Sequence, residues 1–204
     1  MKVYTREIGP LAANCHIAVT DKATFLIDPG DSIAGLDSFI ADVGERIDYI
    51  LVTHGHFDHM LGAAHLKQTT GARLMIGRAD AKSLTDEDTA MVLRGCSITP
   101  FTPVEADVFY EDAGEELASL GVTVLPCPGH TEGGVSIRFK DEKVIFTGDT
   151  LFYRGFGRTD FPGGSMGKLV ESIRMLLALP PETMVYAGHG ESGTLEEIRK
   201  GYYR

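Results

Sequence analysis

Short apolar and alternating runs open the chain. KVYTREI, CHIAVT and TFLID, separated by a turn at Asp21-Lys22 and ending at Pro29-Gly30, predict the first strands of a sheet. From Leu36 the period changes: Leu36, Phe39, Ile40 and Val43 fall on one face of a helix that Gly44 can stop. YILVT then predicts a buried strand, MLGAAHLKQ a helix and ARLMI another strand. The polar stretch from Asp80 to Arg94 predicts a helix, and TPFTPVEADVF a proline-interrupted connection. The second part repeats the theme, with ELASL, VTVLP, VSIRF and VIFTG as strands and Lys140-Asp141-Glu142-Lys143 as a hairpin turn. Leu169, Ile173, Leu176 and Leu177 mark a helix face, MVYA a final strand and TLEEIRK a terminal helix. Two sheet-then-helix halves point to two packed sheets with helices outside, while periodicity by itself leaves other layered α/β or α+β arrangements open.

Composition narrows the classes without choosing among them. With 204 residues, 43% of them apolar and 24% charged, the chain suits one ordinary hydrophobic core, so a single domain over 1–204 is expected. A net charge of -10 works against a nucleic-acid or anionic-membrane partner, since such binding begins with clustered Lys and Arg, and leaves small molecules as the expected partners. Cys15, Cys96 and Cys127 form no paired framework, and the N-terminus shows neither a signal peptide nor a membrane-spanning run, so the cytoplasm is the expected compartment.

The chemistry concentrates at strand ends. Thr53-His54-Gly55-His56-Phe57-Asp58-His59 follows a buried strand and offers three imidazoles and a carboxylate, ligand types that suit Zn²⁺ and neighbouring first-row metals such as Fe²⁺ and Mn²⁺. His54 and His56 share a face of an extended segment, while Asp58 and His59 stand at the entry to a helix. His130, Asp149 and His189 each follow a short apolar strand and a glycine, at positions 129, 148 and 188, that permits a tight turn into a common pocket. His16 and His65 are expected to be ordinary buried or surface residues, and Cys127 a small core residue. Asp28, at the end of FLID, is expected either to fix the tautomer of a ligand histidine as a hydrogen-bond acceptor or simply to cap the Pro-Gly turn.

THGHFDH, PGHTEGG, FTGDT and AGHG together resemble the motif set of the metallo-β-lactamase superfamily. The resemblance implies an α+β, four-layer αββα sandwich of two mixed sheets. It also implies two divalent cations, with zinc the first expectation and iron or manganese alternatives. His54, His56 and His130 would hold one, Asp58, His59 and His189 the other, with Asp149 between them. Within the superfamily, TGDTLF followed by GFGRTDFPGG is similar to the short glyoxalase II-like hydrolases. That likeness implies hydrolysis of an acyl thioester such as S-D-lactoylglutathione by a metal-activated water that Asp58 and Asp149 keep oriented, with Arg158 near the thiol half. Phe156 stands where many of those sequences carry cysteine, and the chain ends at Arg204, before the C-terminal helical domain of full-length glyoxalase II. Arg158 has a second expected role, a salt bridge with Asp160. The rival implied by the same fold is a persulfide dioxygenase with a single iron on His54, His130 and Asp149.

Overall fold

The computed structural model describes residues 1–90 and 95–202. Six strands form the first sheet, in the order β1 (Lys2–Ile8), β2 (Ala13–Val19), β3 (Thr24–Ile27), β4 (Tyr49–Leu51), β5 (Arg73–Ile76) and β6 (Val108–Phe109). β1 to β3 pair antiparallel, and β3 to β6 run parallel. The second sheet holds β7 (Val122–Pro126), β8 (Val135–Phe139), β9 (Val144–Gly148), β10 (Met184–Ala187) and β11 (Gly193–Thr194), in the order β11-β10-β9-β8-β7. Only β9 and β10 are parallel there.

Period-two alternation decides the layers. Leu26, Ile50 and Leu74 send their side chains to one face of the first sheet, where they pack with Leu36 and Phe39 of α1 (Ile33–Val43) and Leu66 of α3 (Ala63–Thr70). Phe25, Ile27, Leu51 and Met75 point the other way, onto Ile137, Phe139 and Phe146 of the second sheet. Phe25 meets Phe139 edge-on at 5.2 Å between ring centroids, which joins the two sheets directly. On the far side, Ile145 and Val185 pack with Leu169, Ile173 and Leu176 of α6 (Met166–Leu177) and Ile198 of α7 (Leu195–Tyr202). Each fully buried Leu, Ile or Phe contributes about 1.5–3 kcal/mol. The result is the αββα sandwich. Among the described residues no helix is long and apolar enough to cross a membrane.

Four predicted elements differ, one of them at the end of TPFTPVEADVF, where Val108–Phe109 is strand β6 and not connection. ELASL lies within and just after a helix, α5 (Gly114–Ser119), rather than in a strand. Leu117 and Leu120 are spaced at the helical period, Glu115 and Glu116 favour the first turn through the helix dipole, and Gly121 takes φ +80° just after the end. MLGAAHLKQ is interrupted: α2 (Phe57–Met60) stops before Gly62, and α3 begins after it. Gly62 lies so close to Pro29 that a β-carbon would sit 2.8 Å from the Pro29 carbonyl oxygen, and its N–H donates to Gly30. The stretch from Asp80 to Arg94 is not one helix. A 3₁₀ segment spans Arg78–Leu84 and a single helical turn, α4, spans Glu87–Ala90; the expected helix at 91–94 lies outside the described residues.

Candidate metal centre

β3, β4, β7, β9 and β10 all end at one edge of the sandwich, and the sequence-predicted residues follow those ends. The structure brings His54, His56 and His130 into one group and Asp58, His59 and His189 into another, the donor atoms in each lying within 4.8 Å of one another. Asp149 stands between the groups. Its Oδ2 is 3.5 Å from His130 Nε2 and 3.7 Å from His189 Nε2, and its Oδ1 is 3.4 Å from His59 Nε2. Asp58 Oδ2 lies 3.3 Å from His189 Nε2 and 3.6 Å from His59 Nε2.

Most of these separations exceed a good hydrogen bond. They suit atoms that share an ion, because two ligands ~2.0–2.1 Å from a tetrahedral cation stand about 3.3 Å apart. The buried atoms His54 Nε2, His130 Nε2 and Asp149 Oδ1 find no hydrogen-bond partner among the described residues. Buried polar atoms are almost always satisfied, so orphaned atoms on three neighbouring side chains of the cluster mark a place for a cation. The donor set therefore fits the metals that the sequence implies.

The hydrogen bonds behind the cluster fix which nitrogen faces inward. His130 Nδ1 is 2.7 Å from the Arg158 carbonyl, which can only accept, so the proton is on Nδ1 and Nε2 is bare. Thr53 spends its hydroxyl hydrogen on Asp28 Oδ2 at 2.7 Å, so the hydroxyl accepts from His54 Nδ1 at 3.0 Å and His54 Nε2 is bare too. Asp28 Oδ2 also takes His59 Nδ1 at 3.0 Å, and its Oδ1 takes the Thr53 N–H at 2.7 Å. Asp28 thus lies within donor range of His54 and His59. However, it faces the outer nitrogen of His59, and its contact with His54 runs through Thr53, so its bonds lie behind the cluster.

Electrostatics divides the imidazoles. Burial, reinforced by neighbouring imidazoles, holds His54 well below the usual histidine range and brings His56 down to about 3, leaving both neutral and able to bind metal. Burial would also suppress the His59 cation, but Asp58, Asp149 and Asp28 outweigh it and raise His59 to about 10. Asp58 is pushed up by burial and pulled further down by His59 and His189, ending below the carboxylate range. Without metal, the second group therefore holds a proton where a cation would sit, and metal must displace it.

Two of the three glycines before His130, Asp149 and His189 take positive φ, Gly129 at 137° and Gly148 at 48°, in keeping with the tight turns expected there. Gly188 does not. Its requirement is space: a β-carbon there would approach Asp149 Oδ1 to 2.2 Å.

Two contributors lie outside the motifs. Asn14 donates through Nδ2 to the Ala187 and Gly190 carbonyls at 3.0 and 2.9 Å, and its N–H donates to Gly188, so β2 holds the loop that carries His189. Asp80 is buried and accepts from the Gly55 N–H, the Thr131 hydroxyl and the Gly133 N–H at 2.9, 2.6 and 2.7 Å, clamping the His54–His59 segment to the loop of His130. No local signal marks Asp80, because all its partners are distant in sequence. Asp80→Ala strands three donors, two of them fully buried, and is expected to cost about 3 kcal/mol in denaturant unfolding and to weaken metal binding; unchanged stability would make the clamp dispensable.

The remaining predicted residues lie off the cluster or at its rim. His16 is buried against Phe146 and Tyr186, bonded to Thr5 and the Ala187 carbonyl, and lowered to about 4 by burial. His65 pairs with Asp37 at 2.7 Å on the surface. Cys127 is buried beside Ser136, and all three cysteines are free. Arg158 makes a two-pronged bridge to Asp160 at 2.7 and 2.6 Å and covers the Phe161 ring, yet it also lines the cleft. That cleft, ≈ 250 Å³, opens over the cluster between Leu11, Phe152, Phe156 and Phe161.

The family model described as the metallo-beta-lactamase superfamily matches residues 8–189. A probable metallo-hydrolase, YqgX, of Bacillus subtilis is 33% identical over 97% of this chain and 94% of its own length. The hydroxyacylglutathione hydrolase GloC of Haemophilus influenzae is 34% identical over 95% of this chain and 94% of its own. Among solved structures, TTHA1623 in a di-iron-bound form superposes with a TM-score of 0.87 at 32% identity, covering 97% of this chain and 98% of that one.

Proposed function

The chain belongs to the metallo-β-lactamase superfamily, and from that premise we propose that it is a cytoplasmic metal-dependent hydrolase of small acyl thioesters, of glyoxalase II-like type. The observation that carries the hydrolytic reading is the pair of three-residue donor groups with the Asp149 carboxylate between them. His54, His56 and His130 would hold one divalent cation and Asp58, His59 and His189 the other. When bound, such a pair lowers the pKa of a water toward neutrality and polarises the carbonyl it faces.

The chain's own residues supply the rest. Asp58 and Asp149 line the cleft and can accept hydrogen bonds from a water there, holding its lone pair toward a bound carbonyl. Phe152, Phe156 and Phe161 exclude bulk water and cover the acyl group. Apart from the proposed ligands, Arg158 is the only ionisable residue among the described residues lining the cleft, so no separate general acid stands ready for a leaving group. A thiol, with a pKa of about 8.5, leaves as the thiolate without one, whereas an alkoxide or amide anion would not. The likeness to a hydroxyacylglutathione hydrolase supports the same substrate class, and the unpaired cysteines suit a reducing compartment.

A second reading has its own observation. The three orphaned atoms of the cluster belong to His54, His130 and Asp149, the set a single iron would use in a persulfide dioxygenase. Metal analysis of the protein purified without added metal, paired with thiol release from S-D-lactoylglutathione, tests both. Two divalent ions per chain with release of thiol is the expected result. One iron per chain, no thiol release and oxygen consumption on glutathione persulfide would replace hydrolysis by dioxygenation.

A further inference from the structure

A second groove, ≈ 380 Å³, adjoins the cleft and shares Phe152 and His189 with it; Tyr153, Arg154, Gly190 and Glu191 complete its lining. Two rigid segments build it. After Asp149 the chain makes a tight turn in which the Phe152 N–H donates to the Gly155 carbonyl at 2.9 Å, placing Tyr153 and Arg154 at the tip. The Tyr153 ring is pressed on Gly193, where a β-carbon would come within 2.4 Å, so the tip is held in place. On the other side, Asn14 fixes the Gly190 carbonyl and with it the start of the segment that carries Glu191.

The groove carries one charge of each sign. Among the described residues Arg154 has no carboxylate partner and lies only over the Tyr153 ring, 5.9 Å from its centroid, and Glu191 has no cationic partner. One cation and one anion, both exposed and both unpaired among the described residues, therefore face a single groove that opens onto the proposed metal centre.

We propose that this groove binds the zwitterionic α-amino-acid terminus of the thiol half of the substrate, its carboxylate on Arg154 and its ammonium on Glu191. A simple dianion would meet Glu191 unfavourably and a simple dication would meet Arg154. A group with both charges on one carbon satisfies both, and guanidinium with carboxylate is the stronger of the two contacts. The role as a substrate site rests on the thioester reading; the binding itself does not.

The test separates the two. The metal-loaded protein is titrated calorimetrically with S-methylglutathione, an unhydrolysable thioether that carries such a terminus, and with the same compound lacking its α-amino group. Arg154→Ala is expected to weaken the first ligand about 10-fold, and Glu191→Gln to weaken it while leaving the deaminated ligand unaffected. No binding by the wild type, or an Arg154→Ala affinity within about threefold of it, overturns the proposal. Failure of the thioesterase reading shows elsewhere, as absence of thiol release from S-D-lactoylglutathione by a wild type that binds S-methylglutathione.

Discussion

Asp149→Ala is expected to lower thioester turnover by roughly a thousandfold, the several kcal/mol that a correctly held metal pair contributes at about 1.4 kcal/mol per factor of ten. Asp149 is the side chain whose carboxylate reaches both donor groups, with His130 on one side and His59 and His189 on the other. Without it, each group keeps three donors and loses its connection to the other. Metal content measured after dialysis should fall below that of the wild type, while the fold survives, because the strand end that carries Asp149 is held by Gly188 donating to the Gly148 carbonyl and by Gly157 donating to that of Asp149. A turnover within about tenfold of the wild type would remove Asp149 from the centre.

The same variant has a pH signature in the metal-free protein. His59 is raised from 6.5 to about 10, and after burial, which opposes the shift, Asp58 and Asp149 are its largest causes. A raised histidine stabilises the fold fully below its unfolded value of 6.5 and ceases to do so as the pH climbs through about 10. Removing Asp149 withdraws part of that stabilisation. The gap in unfolding stability between metal-free wild type and variant should therefore be widest near pH ~6 and narrow toward pH ~9.

How much of this is legible depends on the range of the forces involved. Leu26 against Phe25 and Ile27, or Ile50 against Leu51, carry their layer in the alternation itself, and the helical face of Leu169, Ile173 and Leu176 does the same. The clustered histidines and aspartates are legible because most sit in the turn after a strand, Asp58 and His59 in the short helix that follows one, and their residue types have few other uses at that density. ELASL misleads because so short a run fits either period, and the deciding features, two glutamates at a helix start and Gly121 beyond its end, are weak singly. The break between α2 and α3 comes from the approach of Gly62 to Pro29, and the roles of Asn14 and Asp80 from partners on other elements. Such contacts leave no local pattern. Asp28 falls between these cases: its place at a strand end singles it out, but the choice between ligand orientation and a turn cap needs the structure.

Asp28 is also where the second large effect is expected. It takes φ 54°, a left-handed conformation that asparagine and aspartate tolerate better than most residues, and so delivers its carboxylate to three donors at once. Asp28→Ala would leave the Thr53 N–H, the Thr53 hydroxyl and His59 Nδ1 without their acceptor in a buried site, at a cost of about 4 kcal/mol. Asp28→Asn is the sharper variant, since it keeps the size and the backbone preference. Its amide has one oxygen and one NH₂ group where the carboxylate had two acceptors. If the oxygen serves the Thr53 N–H, the NH₂ replaces Oδ2 and faces both His59 Nδ1 and the Thr53 hydroxyl, which forces the proton of His59, and through the turned hydroxyl that of His54, from Nδ1 to Nε2, into the cluster. Metal at both groups should then bind about 10–100-fold more weakly, the scale of lost ligand-orienting contacts. At limiting metal, the stoichiometry should drop, and excess metal should restore turnover, which it cannot do for Asp149→Ala. Wild-type affinity for both ions in Asp28→Asn would reduce Asp28 to a cap on the Pro29-Gly30 turn.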